Sequence, residues 1–245
     1  MHTLIGKSEA IQIVISVLAI TLAMAIVFAG LDGALAYPKE FVLFLLPILV
    51  TMGSGFILHE MAHKLVAIYY GARAQFQMWI QGLVFMLVMS VFGILFAAPG
   101  AVYIYAEKIT KRENGIISLA GPTLNIFLLL IFIVLQKFAP ITQYYSFLAP
   151  WGNDFQGFGI LYGALSVWQF GAAMNLMLAL FNMIPAFPLD GSKVMWWNKW
   201  IWGGFVLLLL ILGAVLIQPG IVISWGIMLL LLLIISRIFF RGGPK

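Results

Sequence analysis

The chain has 245 residues, of which 64% are hydrophobic and only 9% are charged, which is too apolar for a water-soluble fold of this size. This composition excludes an ordinary soluble domain and favours a lipid bilayer as the solvent. The net charge is +5, but no basic cluster with interleaved aromatic residues indicates nucleic-acid binding. The absence of cysteine excludes disulfides, thiolate metal ligands and a cysteine nucleophile.

Six segments are long and apolar enough to form membrane-spanning helices, since a span needs about twenty residues. Their approximate bounds are 10–30, 41–70, 115–136, 160–181, 201–217 and 220–236. The first segment is longer than the ~7–15-residue apolar region of a signal peptide, so we expect it to be retained. The last two segments predict a C-terminal helical hairpin at about 201–240.

A seventh apolar stretch, Trp79–Ala98, either crosses the membrane or enters it and returns to the same side. If it returns and the N-terminus is cytoplasmic, all lysines and arginines except Lys39 and Lys137 lie toward the cytoplasm. If it crosses, every later loop changes side and this bias is lost. The charges therefore favour six spans, cytoplasmic termini and a re-entrant element.

The re-entrant element has the residue pattern of a small β structure. Non-helical backbone at membrane depth must be covered by protein or line a wet cavity. Gln75, Gln77 and Gln81 alternate with apolar residues, and this period of two is typical of a strand. A second strand-like run follows the break at Pro99. We predict a β-hairpin or small sheet at about 74–105, with a short ordinary helix as the alternative.

Together these patterns predict the fold class: an all-α integral membrane protein with about six transmembrane helices and a membrane-embedded re-entrant or β-hairpin element. Residues 1–245 would form a single membrane-embedded domain. Its functional core would lie at about 41–200.

The second predicted span contains HEMAH at positions 59–63, which fits the metal-binding pattern H-E-x-x-H. A helix places His59 and His63 on one face, where both imidazoles can bind one metal ion. Glu60 is next to the first ligand and could take a proton from a zinc-activated water molecule. Ionisable residues inside an apolar span are costly and by default functional. The alternative is a polar trio satisfied by hydrogen bonds between helices.

A third metal ligand is expected, because catalytic zinc usually has three protein ligands and one open position. The only other histidine, His2, precedes the first span, so the third ligand is sought among the acidic residues. In the six-span topology Asp190 follows the fourth span on the same side as the two histidines. Pro185 and Pro188 prevent a regular helix there, so the chain can fold back and bring the carboxylate to their depth. An N-cap of the fifth span is the alternative role for Asp190.

Three segments together resemble the site-2 protease family of intramembrane zinc metalloproteases. They are HEMAH at 59–63, NMIPAFPLDG at 182–191, which is similar to the family pattern N-x-x-P-x-x-P-L-D-G, and GPTLN at 121–125, which is similar to G-P-x-x-N. The resemblance covers about residues 50–200. The family's G-x-G loop has no clear counterpart here.

The resemblance implies that the two histidines and Asp190 bind zinc and that Glu60 is the catalytic base. It also implies that Asn182 and Asn125 contact the substrate backbone or stabilise the oxyanion. The substrate would be a transmembrane segment of another membrane protein, cut in or near the bilayer, as in regulated intramembrane proteolysis. We thus expect a multi-pass protein of the cell membrane that contacts lipid and no nucleic acid, with its active site toward the cytoplasm.

Two other functional classes remain open from the sequence. A metal transporter would usually carry ionisable residues in several spans, whereas this chain has one central cluster. A non-catalytic zinc-binding membrane protein would use the same ligands without the base. A different H-E-x-x-H peptidase class, with a downstream glutamate as third ligand, would need Glu107 or Glu113, and neither lies in an apolar helix.

Overall fold

The computed structural model describes residues 5–95, 99–106, 108–153, 155–220 and 223–228, and most of them are helical. The helices are α1 (Lys7–Ala36), α2 (Pro38–Ile48), α3 (Ser54–Tyr69), α4 (Ile80–Val91), α5 (Lys111–Phe138), α6 (Val167–Asn182), α7 (Asp190–Trp197) and α8 (Lys199–Leu212). A π-helical segment, Leu49–Gly53, joins α2 to α3 without a break, and another, Gly213–Ile217, extends α8.

The strands form two small antiparallel sheets. They are β1 (Arg73–Met78), β2 (Gly100–Tyr105), β3 (Thr142–Tyr144), β4 (Ile160–Leu161) and β5 (Ala164–Ser166). One sheet contains β1 and β2, and the other has the order β3-β5-β4.

Among the described residues, four helical stretches are long and apolar enough to cross a membrane. They are Lys7–Ala36, Pro38–Tyr69, Lys111–Phe138 and Lys199–Ile217. These stretches contain predicted spans one, two, three and five. Their outward faces carry exposed apolar side chains such as Leu43 and Phe127, as expected of surfaces that meet lipid. The chain therefore has the helices of a membrane protein, although the predicted count of six spans is not reached within the described residues.

The predicted fourth span, 160–181, begins too early. Its first residues form the strands β4 and β5, and the helix α6 starts only at Val167 and has 16 residues. The two strands are joined by Tyr162 and Gly163, which both have positive φ, as a type I′ hairpin turn requires. This turn stops the helix that the apolar composition alone predicts. The sixth predicted span, 220–236, and the end of the hairpin at 201–240 lie largely outside the described residues.

The segment between β1 and β2 leaves the sheet and returns to it. Met78 at the end of β1 pairs with Gly100 at the start of β2, and the Trp79 N–H donates to the Pro99 carbonyl at 3.2 Å. Helix α4 lies between these two ends. The two ends of this segment therefore lie beside each other, which favours the re-entrant alternative over a crossing. Residues 96–98, which belong to the predicted element at about 74–105, lie outside the described residues.

A second contact gives the same topology. After α5 the chain reaches Ser146, whose N–H and hydroxyl both donate to the Glu40 carboxylate at the start of α2. The end of α5 and the start of α2 therefore lie at the same end of the molecule. The α2–α3 stretch runs away from that end of the molecule, and α5 runs back to it. Strands β1 and β2 with the helix α4 between them, called the β1–β2 unit below, therefore start and finish at the opposite end of the molecule.

Helix α5 is the central element of the interior. It packs against α3, α6 and α7, and thus brings the histidine-bearing helix close to the segment that contains Asp190. Small residues permit the close approach: a Cβ on Gly171 of α6 would lie 2.8 Å from the Thr51 side chain and 3.0 Å from the Phe132 ring.

Candidate metal centre

The two histidines of HEMAH lie one helical turn apart on the buried face of α3. The Nε2 atoms of His59 and His63 are 3.0 Å apart, and both side chains are almost fully shielded from solvent. The spacing of four residues thus places both ring nitrogens at one point of the interior, as the helix geometry predicts.

Asp190 joins the two histidines from a distant part of the chain. Its Oδ2 atom is 3.3 Å from Nε2 of His59 and 3.1 Å from Nε2 of His63. The three side chains are all buried, and their ligand atoms form a compact triangle. Asp190 is the first residue of α7, whose N-cap is Leu189, and the cap of α8 is Asn198. The alternative role of Asp190 as the N-cap of the fifth span is therefore wrong.

The loop between α6 and α7 brings Asp190 to this position. Helix α6 ends at Asn182, and the following residues form tight turns, with the Ile184 N–H on the Phe181 carbonyl and the Leu189 N–H on the Ala186 carbonyl. Gly191 closes the loop, because a Cβ there would collide with the Met183 carbonyl group. The proline-rich stretch thus folds back on α6.

Hydrogen bonds on the far side of each imidazole determine which nitrogen carries a lone pair. Nδ1 of His59 is 2.6 Å from the side-chain oxygen of Asn125, and Nδ1 of His63 is 2.7 Å from the carbonyl oxygen of Ile117. Both partners can only accept, so both Nδ1 atoms donate and both Nε2 atoms direct lone pairs at Oδ2 of Asp190. The hydrogen bonds to α5 therefore satisfy the Nδ1 atom of each imidazole but leave the Nε2 atom for another partner.

The three inward atoms need a positive charge between them. Among the described residues, Oδ2 of Asp190 is buried without a hydrogen-bond partner. A proton or a metal ion could supply the charge. Ligand atoms at about 2.0–2.1 Å from a tetrahedral zinc ion lie roughly 3.3–3.4 Å apart, close to the observed separations of 3.0–3.3 Å. The donor set, its spacing and the unpaired oxygen fit a metal ion with one further position open.

Gly121 leaves the space that such an ion requires. A Cβ built on this residue of α5 would lie 2.5 Å from Nε2 of His59 and 2.5 Å from Nε2 of His63. No residue with a side chain can therefore stand here beside an occupied site. From the sequence alone, Gly121 was recognised only as the first residue of the GPTLN motif, and no role was predicted for it.

Asn125 orients one of the two histidines. It is fully buried, and its amide nitrogen donates to the Gly55 carbonyl at 3.2 Å and to the side-chain oxygen of Asn175 at 2.9 Å. These bonds orient the amide so that its oxygen accepts from His59. All polar atoms of Asn125 thus have partners inside the protein, and the contact with substrate that the family resemblance implies stays a prediction.

Asn175 was not identified from the sequence. This residue of α6 is fully buried, and its amide nitrogen donates to the Gly171 carbonyl at 2.9 Å and to the Thr51 carbonyl at 3.4 Å. A Cβ on Gly55 would lie 2.6 Å from the Asn175 side-chain oxygen, so Gly55 makes room for this amide. An asparagine in the middle of an apolar helix was the available signal.

Glu60 lies beside the ligands and faces strand β2. Its carboxylate is nearly buried and accepts the Val102 backbone N–H at 2.8 Å. The residue between the two ligands in the motif is thus held by strand β2. Asn182, by contrast, is half-buried at the end of α6, where its amide nitrogen donates to the Leu178 carbonyl of its own helix at 2.9 Å. Its role toward substrate stays a prediction.

Two opposing effects act on the aspartate. Burial by itself raises the pKa of Asp190, whereas interaction with a protonated His63 and His59 lowers this pKa below its usual range, so a cation at this point favours the ionised carboxylate. Lys193, one turn further along α7, holds its ammonium group 3.7 Å from the other carboxylate oxygen. Its side chain is 38% exposed, so solvent screens this pair and its contribution is small.

Long apolar helices around a buried set of metal-ligand side chains define the class: a helical membrane protein with the ligand set of a metalloenzyme. Comparison with known proteins agrees. "Putative zinc metalloprotease MJ0611" of Methanocaldococcus jannaschii is 40% identical over 201 residues, which cover 80% of this chain and 88% of that protein. "Putative zinc metalloprotease YwhC" of Bacillus subtilis is 30% identical over 174 residues, covering 67% and 73%.

"Zinc metalloprotease MJ0392" of Methanocaldococcus jannaschii is 28% identical over 139 residues, which cover 57% of this chain but 30% of that longer protein. No family model and no solved structure matches the chain. The identity to MJ0611 extends over most of both chains. The chain therefore belongs to the zinc metalloprotease family of these relatives.

Proposed function

We propose that this protein is an intramembrane zinc metalloprotease of the site-2 protease type. It hydrolyses peptide bonds in or near transmembrane segments of membrane-protein substrates, as in regulated intramembrane proteolysis. The observation that carries the proposal is the triangle of His59, His63 and Asp190, whose inward atoms lie 3.0–3.3 Å apart with an unpaired carboxylate oxygen. The named relatives support zinc as the ion.

In this proposal His59, His63 and Asp190 are the zinc ligands. When bound, zinc would polarise the scissile carbonyl group and make a water molecule acidic enough to react near neutral pH. The bonds from Nδ1 to Asn125 and to the Ile117 carbonyl hold both rings with Nε2 pointing inward. The protein thus arranges its ligands before the ion arrives.

Glu60 is the proposed general base and acid. It takes a proton from the attacking water and passes this proton to the leaving amine. The bond from the Val102 N–H restricts the carboxylate to one orientation next to the ligand pair. Glu60 therefore combines a reactive group with a fixed position.

A transmembrane substrate has to unwind before it can be cut, because the carbonyl groups of a helix are hydrogen-bonded within it. The β1–β2 unit adjoins Glu60 and offers backbone groups that could pair with an unwound stretch and replace those bonds. Asn182, at the end of α6, is the proposed polar contact to the substrate backbone.

We further propose that the protein is a multi-pass protein of the cell membrane with cytoplasmic termini and an active site toward the cytoplasm. The support is the distribution of charge: Lys64, Arg73, Lys108 and Lys193 all lie at the end of the molecule that holds the metal ligands in the six-span topology. Water would reach the site from that side.

The test is cleavage of a model transmembrane substrate by the purified full-length protein, together with zinc analysis. The unaltered chain is expected to contain one zinc ion and to cleave. Glu60→Gln should keep zinc, because Glu60 is not a ligand, and should lose cleavage by at least about 100-fold. Asp190→Ala should lose both zinc and activity, whereas Asp32→Ala, which removes an exposed aspartate of α1, should change neither.

Three outcomes would contradict the proposal. Normal cleavage by Glu60→Gln would remove the base, and full zinc content in Asp190→Ala would remove the third ligand. Zinc transport into liposomes by the unaltered chain, without any cleavage, would instead indicate a transporter.

A further inference from the structure

Helix α1 carries a stripe of polar residues that its apolar composition does not require. Glu9, Gln12 and Ser16 are separated by three and four positions, so they lie on one face of the helix. Glu9 and Ser16 are buried, at 4% and 0% exposure, and Gln12 is half-buried. Polar groups buried in a membrane protein need partners, and these three find theirs in the same place.

Each residue of this polar stripe bonds to the backbone of the β1–β2 unit. The Glu9 carboxylate accepts the Phe76 N–H at 2.9 Å, and the Gln12 side-chain oxygen accepts the Met78 N–H at 3.0 Å. The Ser16 hydroxyl donates to the carbonyl of Pro99 at 3.1 Å, where the chain returns to the sheet.

These bonds distinguish the two edges of the β1–β2 pair. Phe76 faces Val102 in the antiparallel register, and neither N–H points at the other strand. The Phe76 N–H points to α1, while the Val102 N–H points to Glu60 in the metal-binding helix. The outer edge of β1 is thus covered by the polar stripe, and the outer edge of β2 is the one that adjoins the candidate active site.

Glu9 also connects this arrangement to α3. The carboxylate oxygen that accepts the Phe76 N–H forms an ion pair with Lys64, the residue after the ligand His63, and both side chains are buried. A buried ion pair contributes little net stability, because desolvation offsets the attraction, and it forms only where the geometry is good. One carboxylate therefore ties together α1, β1 and the metal-binding helix.

We propose that α1 is a positioning element for the substrate. Its polar stripe closes the outer edge of β1 and holds the β1–β2 unit against α3, so that an extended substrate segment pairs only with the outer edge of β2. The inference rests on the proposed function, since it assumes an unwound peptide as the occupant. It assigns to α1 a role in selecting the edge on which that peptide docks, and to Glu9, Gln12 and Ser16 the role of positioning residues.

The absence of cysteine allows a direct test of the docking edge. Gln75 and Tyr103 face each other across the sheet and are both exposed, so they form a matched pair of sites. Gln75→Cys or Tyr103→Cys would be introduced into the zinc-loaded full-length Glu60→Gln protein, which should bind substrate without cutting it. A set of transmembrane substrates with a single cysteine at successive positions would then be tested for disulfide formation.

Strand spacing makes the result discriminating. A substrate strand on the outer edge of β2 would lie about 4.8 Å from β2 and roughly 9.6 Å from β1. A disulfide requires Cα atoms within about 7 Å of each other, so Tyr103→Cys should form it and Gln75→Cys should not. An equal or stronger disulfide at Gln75→Cys would overturn the inference, and so would a lack of disulfides at both sites across the substrate set.

The second test changes two of the three residues of the stripe and keeps the buried ion pair of Glu9 and Lys64. In the double variant Gln12→Leu, Ser16→Ala, the stripe loses two of its three hydrogen bonds to this part of the chain: the one to Met78 on the outer edge of β1 and the one to the Pro99 carbonyl before β2. We expect KM for the transmembrane substrate to rise about tenfold, zinc content to stay unchanged, and disulfide formation at Gln75→Cys to increase. Thr21→Val is the matched control, because within the part of the chain that the structure describes the buried Thr21 hydroxyl bonds only to the Val17 carbonyl of α1.

The outcomes separate this inference from the proposed function. If the double variant keeps the KM and the disulfide pattern of the control, the stripe does not position substrate, whatever the enzyme's activity. If the Tyr103→Cys, Glu60→Gln variant forms the disulfide with substrate but the unaltered chain never cleaves, the proposed function fails while the docking edge stands. Loss of zinc in the double variant would show a general structural defect and would also count against a positioning role.

Discussion

Gly121 shows how a residue without a side chain can control the metal centre. The atoms of His59 and His63 that face the centre lie so close to α5 that a methyl group at position 121 would occupy the space of an ion. We predict that Gly121→Ala lowers zinc content to below about one tenth of the unaltered protein, measured by elemental analysis of the purified chain.

Gly203 of α8 provides the control for this substitution. A Cβ on Gly203 meets no atom within 4 Å, so Gly203→Ala should keep full zinc content. An unchanged zinc content in Gly121→Ala would mean that the ion does not lie between the two imidazoles and α5.

Asn175 acts at a greater distance, through Asn125. Its side-chain oxygen accepts from the Asn125 amide, and Asn125 in turn accepts from His59. Removing a partner that orients a metal-binding histidine typically weakens metal binding by about 10–100-fold. We predict a loss in this range for Asn175→Ala, measured by competition with a chelator.

The comparison for Asn175→Ala is Asn198→Ala. Asn198 caps α8 by accepting the N–H groups of Trp200 and Ile201, so its loss should lower stability without changing zinc affinity. Equal zinc affinity in both variants would show that the asparagine pair does not act on His59.

At the scale of the element, α5 begins with a capping box in the sequence TKRE. The Thr110 side chain accepts the Glu113 N–H at 3.2 Å, and the Glu113 carboxylate accepts the Thr110 N–H at 2.8 Å. We predict that Thr110→Ala lowers the free energy of unfolding by about 1 kcal/mol, measured by thermal denaturation in detergent. Zinc content should not change, since the cap lies about two turns before Ile117; a drop in zinc content would show that the cap positions the ligands.

The elements differ in how far the sequence predicts them. The helices α1, α5 and α8 and the α2–α3 stretch follow from runs of about twenty apolar residues, because hydropathy is a property of composition alone. Strands β1 and β2 follow from alternation and from the break at Pro99. The sheet of β3, β4 and β5 could not be predicted, because its strands have two or three residues and its turn uses Tyr162, which rarely adopts positive φ.

At the scale of the whole molecule, the hydrogen bonds of Ser146 to Glu40 place the end of α5 beside the start of α2. Lys39 and Lys137 should then lie on the same side of the membrane, and Lys108 on the other. We predict that Lys39→Cys and Lys137→Cys react with a membrane-impermeant maleimide from one side and Lys108→Cys from the opposite side. Labelling of Lys137→Cys and Lys108→Cys from the same side would contradict this topology.

Four long apolar helical stretches, the helical register of the two histidines and the candidate ligand Asp190 could be deduced from the sequence. Each depends on local spacing, on composition, or on how few acidic residues could serve as a ligand. The partners of Asn125, the presence of Asn175, the space left by Gly121 and the polar stripe of α1 were decided only by the tertiary structure. The physical reason is that these features join residues from separate helices, and the distances between helices depend on packing that no short stretch of sequence encodes.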